Sequence, residues 1–283
     1  MITGVGVWWL WQVFAILVSL VVGSFVTLCI TRMPEDRSVV TPGSHCDMCG
    51  HAVRPYDNIP VVSWVVLRGK CRDCDGPIPV MLPLMELFVG CLGWLLFRKI
   101  VVDVDAIDVA HAVAWTVYFG FLCALTIAAF VDIRHRIIPD QTSSYAVPFG
   151  VLGCTLLAYL EYEGWPGFSV RQSVLGALVG YGFFAVLAKV MHALMGQEAL
   201  GWGDVKLLAM IGAFVGVFPG IYFVLMFGSM MGAAFGVALT LYQWRRPSPP
   251  FGPPLALAAT VYVFYGDLFI EAYMPMWSRF VGG

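Results

Sequence analysis

VWWLWQVFAILVSLVVGSFVTLCI, residues 7–30, is a run of 24 residues without a charge. As a helix it extends about 36 Å at 1.5 Å per residue, more than the roughly 30 Å hydrocarbon core of a bilayer. A helix on the surface of a soluble domain carries a polar face, and this stretch has none. It also lacks a basic leading segment and a small-residue cleavage site, so it reads as a retained anchor and not as a removed signal.

The pattern repeats along the chain. Further apolar runs lie at about 80–97, 110–131, 144–160, 173–195, 205–218, 221–242 and 253–270. The sequence therefore predicts an all-α polytopic membrane protein of about eight transmembrane helices. The run at 205–218 is short for a span, so seven spans and a re-entrant segment are the alternative. Composition agrees, with 60% hydrophobic and 12% charged residues, where a soluble domain has about 25% charged. The net charge is −2. No basic tail or acidic block is present, and no nucleic-acid partner is expected.

Orientation follows from the Lys and Arg residues. With the N-terminus outside, twelve of the 16 fall in the inside loops or at their helix edges and four outside, as the positive-inside rule requires. The layout is then a first transmembrane helix (1–30), a cytoplasmic loop (31–79) and a helical membrane domain (80–283). Glycines recur every four residues at Gly176 and Gly180, at Gly212, Gly216 and Gly220, and at Gly228, Gly232 and Gly236. In lipid such small faces let helix backbones approach closely.

The loop 31–79 holds Cys46 and Cys49, then 21 residues, then Cys71 and Cys74. Two CxxC knuckles at this separation offer four thiolates at tetrahedral corners, the arrangement of a closed structural zinc site. Disulfides or a thiol relay would use the same spacing, but a cytoplasmic loop disfavours structural disulfides. His45 and His51 flank the first knuckle and could replace a ligand. A loop this short and polar builds little core, so the metal would supply much of its folding energy.

Carboxylates at a membrane boundary are costly and therefore functional candidates. Asp132 ends the third run and Asp204 begins the sixth; the topology puts both at the cytoplasmic face. Two aspartates in a partly desolvated site do not both ionise easily. Such a pair can activate water as general base and protonate a leaving amine as general acid, which is peptide hydrolysis without a covalent intermediate. Gly201 and Gly203 would let a substrate backbone come close. Lys206 and Arg134 could tune the pair or hold a substrate carboxylate, and Asp140 and Glu198 could be the true partners or bind a divalent cation. The plain alternative for Asp204 is a helix N-cap. A transporter or thiol-redox protein is the rival from another class. Against transport, the carboxylates gather at one face and not at the midplane.

In chain order the sequence carries GSF (23–25), TRMP (31–34), the two knuckles enclosing DNIPVVSW (57–64) and LRGKC (67–71), LPLMELFVG (82–90), VDIRHRIIPD (131–140), GWGDVKL (201–207) and PFGPPLALAA (250–259). This ordered set resembles the type IV prepilin peptidases of bacterial inner membranes. The resemblance implies an aspartyl endopeptidase that cuts the basic leader from type IV prepilins and type II secretion pseudopilins after a glycine on the cytoplasmic side. It implies methylation of the new N-terminal residue with S-adenosylmethionine, although a peptidase without methyltransferase activity is the alternative. It also implies catalytic roles for Asp132 and Asp204, and zinc on Cys46, Cys49, Cys71 and Cys74. Two positions depart from the family pattern. Arg134 stands where an acidic residue is common, and Met81 and Leu82 stand where Arg-Tyr is frequent.

Overall fold

The computed structural model describes residues 2–102, 107–162, 169–195, 201–243 and 250–281. Its elements are α1 (Ile2–Arg32), α2 (Val62–Val66), α3 (Met81–Ile100), α4 (Val109–His135), α5 (Ala146–Tyr159), α6 (Val170–Met195), α7 (Trp202–Val215), α8 (Tyr222–Gln243) and α9 (Gly252–Val281), with three short 3₁₀ turns. Among the described residues no strand forms, and pairing is limited to two isolated bridges. The chain divides into two compact units, residues 1–108 and 109–283.

Among the described residues, six helical stretches are long and apolar enough to cross a membrane: 7–35, 81–100, 109–135, 170–194, 202–238 and 252–272. The runs at 144–160 and 205–218 yield helices of 14 residues each. That is below the roughly 20 residues of a straight span, and α7 meets α8 at the kinked segment Gly216–Ile221, where Phe218 leaves helical geometry at φ −129° and ψ 131°.

In the first unit α1 packs along α3. Gly23 lies against the backbone of Glu86, and a Cβ there would stand 3.0 Å from Glu86 Cα. Near the other end of the pair, Trp94 Nε1 donates to Gln12 Oε1 at 3.1 Å. This satisfies a glutamine only 3% exposed in an otherwise apolar helix, as a bilayer demands. In the second unit α7 is the core. Val205 and every residue from Leu207 to Val215 are buried, the pattern of a helix that is apolar all round. The expected glycine contact occurs between α6 and α7, where the backbones of Gly176 and Gly212 touch. Beside them Ser173 Oγ donates to the Ala213 carbonyl at 2.6 Å, and Phe214 stacks on Phe121 of α4 at 4.3 Å.

Candidate active site and metal centre

The site of the second unit forms where the end of α4 meets the starts of α7 and α9. Asp132 sits in the last turn of α4 and is 6% exposed. The helix stops just beyond it. Arg136 takes a positive φ of 57° and its N–H closes on the Asp132 carbonyl at 3.0 Å, a left-handed C-terminal cap. The chain turns back through Ile138 and Pro139 into the 3₁₀ turn Asp140–Thr142.

Asp204 lies in the first turn of α7. Gly201 occupies the N-cap and makes no side-chain cap bond, so the N-cap alternative for Asp204 is set aside: the carboxyl stands at the third helical position. Its Oδ2 faces Gly201, where a Cβ would come within 3.3 Å. Asp132 is close enough to act electrostatically on the Asp204 carboxyl, and Arg136 acts on Asp132 in the same way. Ile138 fills the space between the helix ends of this junction. Its Cβ would meet a Cβ at Gly203 at 3.2 Å, and its Cδ1 a Cβ at Gly252 at 3.3 Å.

The remaining candidates separate. Lys206 Nζ pairs with Asp140 Oδ1 at 2.6 Å, so both serve the turn after α4 and neither is bonded to the aspartates. Arg134 is exposed. Glu198 lies outside the described residues. One contributor was not foreseen. The N–H of Gly252, the first residue of α9, donates to Asp132 Oδ2 at 3.0 Å in a buried bond. A Cβ at that position would stand 2.6 Å from the same oxygen. A backbone donor leaves no side-chain signature; the sequence marks Gly252 only as part of the motif PFGPPLALAA (250–259), with no role attached to it.

The first unit carries the cysteines. Each knuckle is closed in the same way: the Gly50 N–H returns to the Cys46 carbonyl at 2.8 Å and the Asp75 N–H to the Cys71 carbonyl at 3.0 Å. Bridges His45–Ala52 and Lys70–Pro77 flank them. The four Sγ atoms lie within 4.8 Å of one another, with Cys46 and Cys74 at 3.8 Å. Zinc–sulfur bonds of about 2.3 Å in a tetrahedron place sulfurs about 3.8 Å apart, so the donor set fits a metal ion. Backbone N–H groups of Cys49 and Met48 bond the Cys46 sulfur and bring its thiol down to about 6. Cys49 and Cys74 also receive backbone N–H bonds, from His51 and Gly76, yet shift upward through desolvation and the adjacent thiols. Crowded sulfurs sharing protons are what a divalent cation replaces. His45 Nδ1 bonds the Gly43 carbonyl at 3.0 Å and neither flanking histidine joins the cluster.

Comparison with known proteins covers both units. Residues 17–100 match the Bacterial Peptidase A24 N-terminal domain and residues 119–237 the Type IV leader peptidase family. A prepilin leader peptidase/N-methyltransferase of Burkholderia pseudomallei (strain K96243) is 32% identical over 284 residues, 90% of this chain and 86% of that protein. One from Aeromonas hydrophila is 30% identical over 296 residues, covering 95% and 96%. One from Myxococcus xanthus (strain DK1622) is 36% identical over 211 residues, 72% of this chain and 56% of the relative. No solved structure matches.

Proposed function

The chain belongs to the Type IV leader peptidase family, and from that premise we propose that it is a multi-pass inner-membrane aspartyl peptidase that removes the leader from type IV prepilins and type II secretion pseudopilins and then N-methylates the new N-terminus. Asp132 and Asp204 carry the hydrolysis. One carboxylate takes a proton from the attacking water while the other, protonated, donates to the leaving amine, and the roles reset by proton exchange. The observation that supports the pair is their convergence at the α4–α7–α9 junction, with Asp132 held by the Gly252 N–H at 3.0 Å. Gly201 and Gly203 leave the approach to Asp204 free of side chains, which suits an extended substrate backbone.

The same hydrogen bond supports eight crossings. The end of α4, the start of α7 and the start of α9 share one end of the bundle, so the 146–195 and 202–243 segments must each go out and return. Helices α5 and α6 then cross as one pair and α7 and α8 as another, with the kinked segment at Gly216–Ile221 as the turn. The twelve-to-four distribution of Lys and Arg supports an outside N-terminus and a site at the cytoplasmic face. A prepilin carries its apolar segment just beyond the cleavage point, so a site at the lip of the bilayer meets the scissile bond without drawing it into lipid.

The metal of the four-cysteine cluster is zinc in this reading: four thiolates leave no open position, so the ion is structural. S-adenosylmethionine supplies the methyl group when bound. Among the described residues there is no strand, so a strand–loop–helix nucleotide cradle does not hold it, and methyl transfer is inferred from the relatives.

The test is incubation of the purified, membrane-inserted protein with a pseudopilin and labelled S-adenosylmethionine, scoring cleavage and methylation separately. Asp132→Asn and Asp204→Asn are each expected to lower cleavage by at least ~10²-fold, the scale of general acid–base catalysis. Cleavage at the wild-type rate by either inserted variant would remove that residue from the mechanism.

A further inference from the structure

The loop between α1 and α3 carries a set of exposed apolar side chains that the peptidase reading leaves unused. Ile59, Val62, Val65 and Val66 are 48%, 54%, 62% and 67% exposed. On the inward side of the same segment the polar groups are satisfied. Ser63 Oγ donates to the Tyr56 carbonyl and accepts from the Ile59 N–H, both at 3.0 Å. Trp64 Nε1 donates to the Ile78 carbonyl at 3.1 Å. One face is therefore polar and satisfied, the other aliphatic and bare.

Two contacts fix the depth of this segment against the membrane helices. The Val61 N–H donates to Glu86 Oε2 at 2.7 Å. Glu86 is 8% exposed and lies five residues into α3, about 8 Å along its axis. Its backbone touches Gly23 of α1, nine residues before the end of that helix at Arg32, or about 13 Å. Val61 holds a φ of +61° to make the bond, a conformation that a β-branched residue adopts only under constraint. Independently, Asn58 and Pro60 wall a cleft of about 330 Å³ whose other side is Val21, Phe25 and Leu28 of α1. The segment thus lies beside membrane-helix turns that belong to the apolar slab, not beyond their ends.

We propose that residues 59–66 are immersed in the bilayer interface, with lipid covering the valine face and anionic headgroups meeting the two cations that follow it. Val21 and Phe25 of α1, which line the cleft that Asn58 and Pro60 wall, are exposed apolar side chains too, and lipid covers them in the same way. Arg68 and Lys70 are exposed and form no ion pair among the described residues, whereas Arg54 and Arg72 are paired with Asp73 and Asp57. An aliphatic face followed by unpaired cations is the arrangement of an interfacial anchor, which dips about 5–10 Å below the headgroups. The satisfied polar groups on the inner face keep the backbone from opposing that immersion.

The test uses the full-length protein in nanodiscs of phosphatidylcholine with a minority of phosphatidylglycerol, its native cysteines untouched. A genetically encoded nitroxide amino acid is placed at Val65, at Val66 and, as a control, at exposed Arg37, and its collisions with oxygen and with a water-soluble nickel chelate are compared. The oxygen-to-nickel ratio is expected to be several-fold higher at Val65 and Val66 than at Arg37. It should fall when phosphatidylglycerol is omitted, and Arg68→Gln/Lys70→Gln should abolish that lipid dependence. A water-like ratio at both valines overturns the proposal. So does shielding that appears only when a prepilin is added, or only when two copies share a disc, since either result gives the face to a protein. A ratio indifferent to lipid charge removes the headgroup contact. None of these readouts depends on cleavage.

Discussion

Asp132 is oriented by a donor 120 residues away, and that donor is a backbone N–H. The boundary aspartates were legible because a carboxylate beside an apolar run stands out in any hydropathy reading. Gly252 was not, because its contribution is the absence of a side chain. In Gly252→Ala a methyl group would stand 2.6 Å from Asp132 Oδ2, closer than carbon and oxygen approach without a bond, so the carboxyl must turn. Cleavage is expected to fall ~10²-fold, the scale of a 1 Å misplacement, with protein level and metal content unchanged; a wild-type kcat would take Gly252 out of the site. Lys206 behaves differently. Its pairing with Asp140 is between side chains 34% and 49% exposed, a setting in which ion pairs contribute at most ~1 kcal/mol. Lys206→Met is therefore expected to slow cleavage by less than about tenfold, one decade being 1.4 kcal/mol. A loss as deep as that of the aspartate variants would place the lysine among the reacting groups.

At the scale of elements, the apolar runs located every long helix but did not distinguish lipid-facing helices from buried ones. Hydropathy is high in both cases. It is the closeness of α6, through Gly176 and Gly180, that reveals α7 as the core, and four-residue glycine spacing announced that contact without naming its partner. The knuckles were legible because the CxxC gap fixes local backbone geometry by itself; the bond from Val61 to Glu86 was not, since nothing in a valine marks its N–H. Metal analysis of purified protein is expected to give about one zinc per chain, lost in Cys71→Ser, and metal-free wild type that stays folded and active would refute a structural ion. The Asp57–Arg72 bridge ties the 55–58 turn to the second knuckle. Hydrogen bonds from Arg72 hold the Asp57 carboxyl below its usual range, so its stabilising contribution is complete above the unfolded value and disappears as pH falls through the lowered one. Asp57→Asn should then speed metal loss to a chelator by a constant factor between about pH 5 and 8, the gap closing only in stronger acid.

For the whole molecule, the division at residue 108 means that the four-cysteine cluster and the two candidate aspartates belong to different units. Chelation is expected to expose residues 33–80 to protease while the helical circular dichroism falls little, because only Met33–Glu35, Pro55–Asn58 and Val62–Val66 are helical in that stretch. A collapse of the whole helical signal would instead show that the ion stabilises the membrane helices. Gly252 belongs to the last helix, α9, beyond the stretch 119–237 that matches the family. A nascent chain therefore contains both candidate aspartates before the residue that donates to the first of them has been made. On the proposed mechanism, a chain stopped short of α9 is expected to insert without cleaving prepilin, because the donor to Asp132 is then missing.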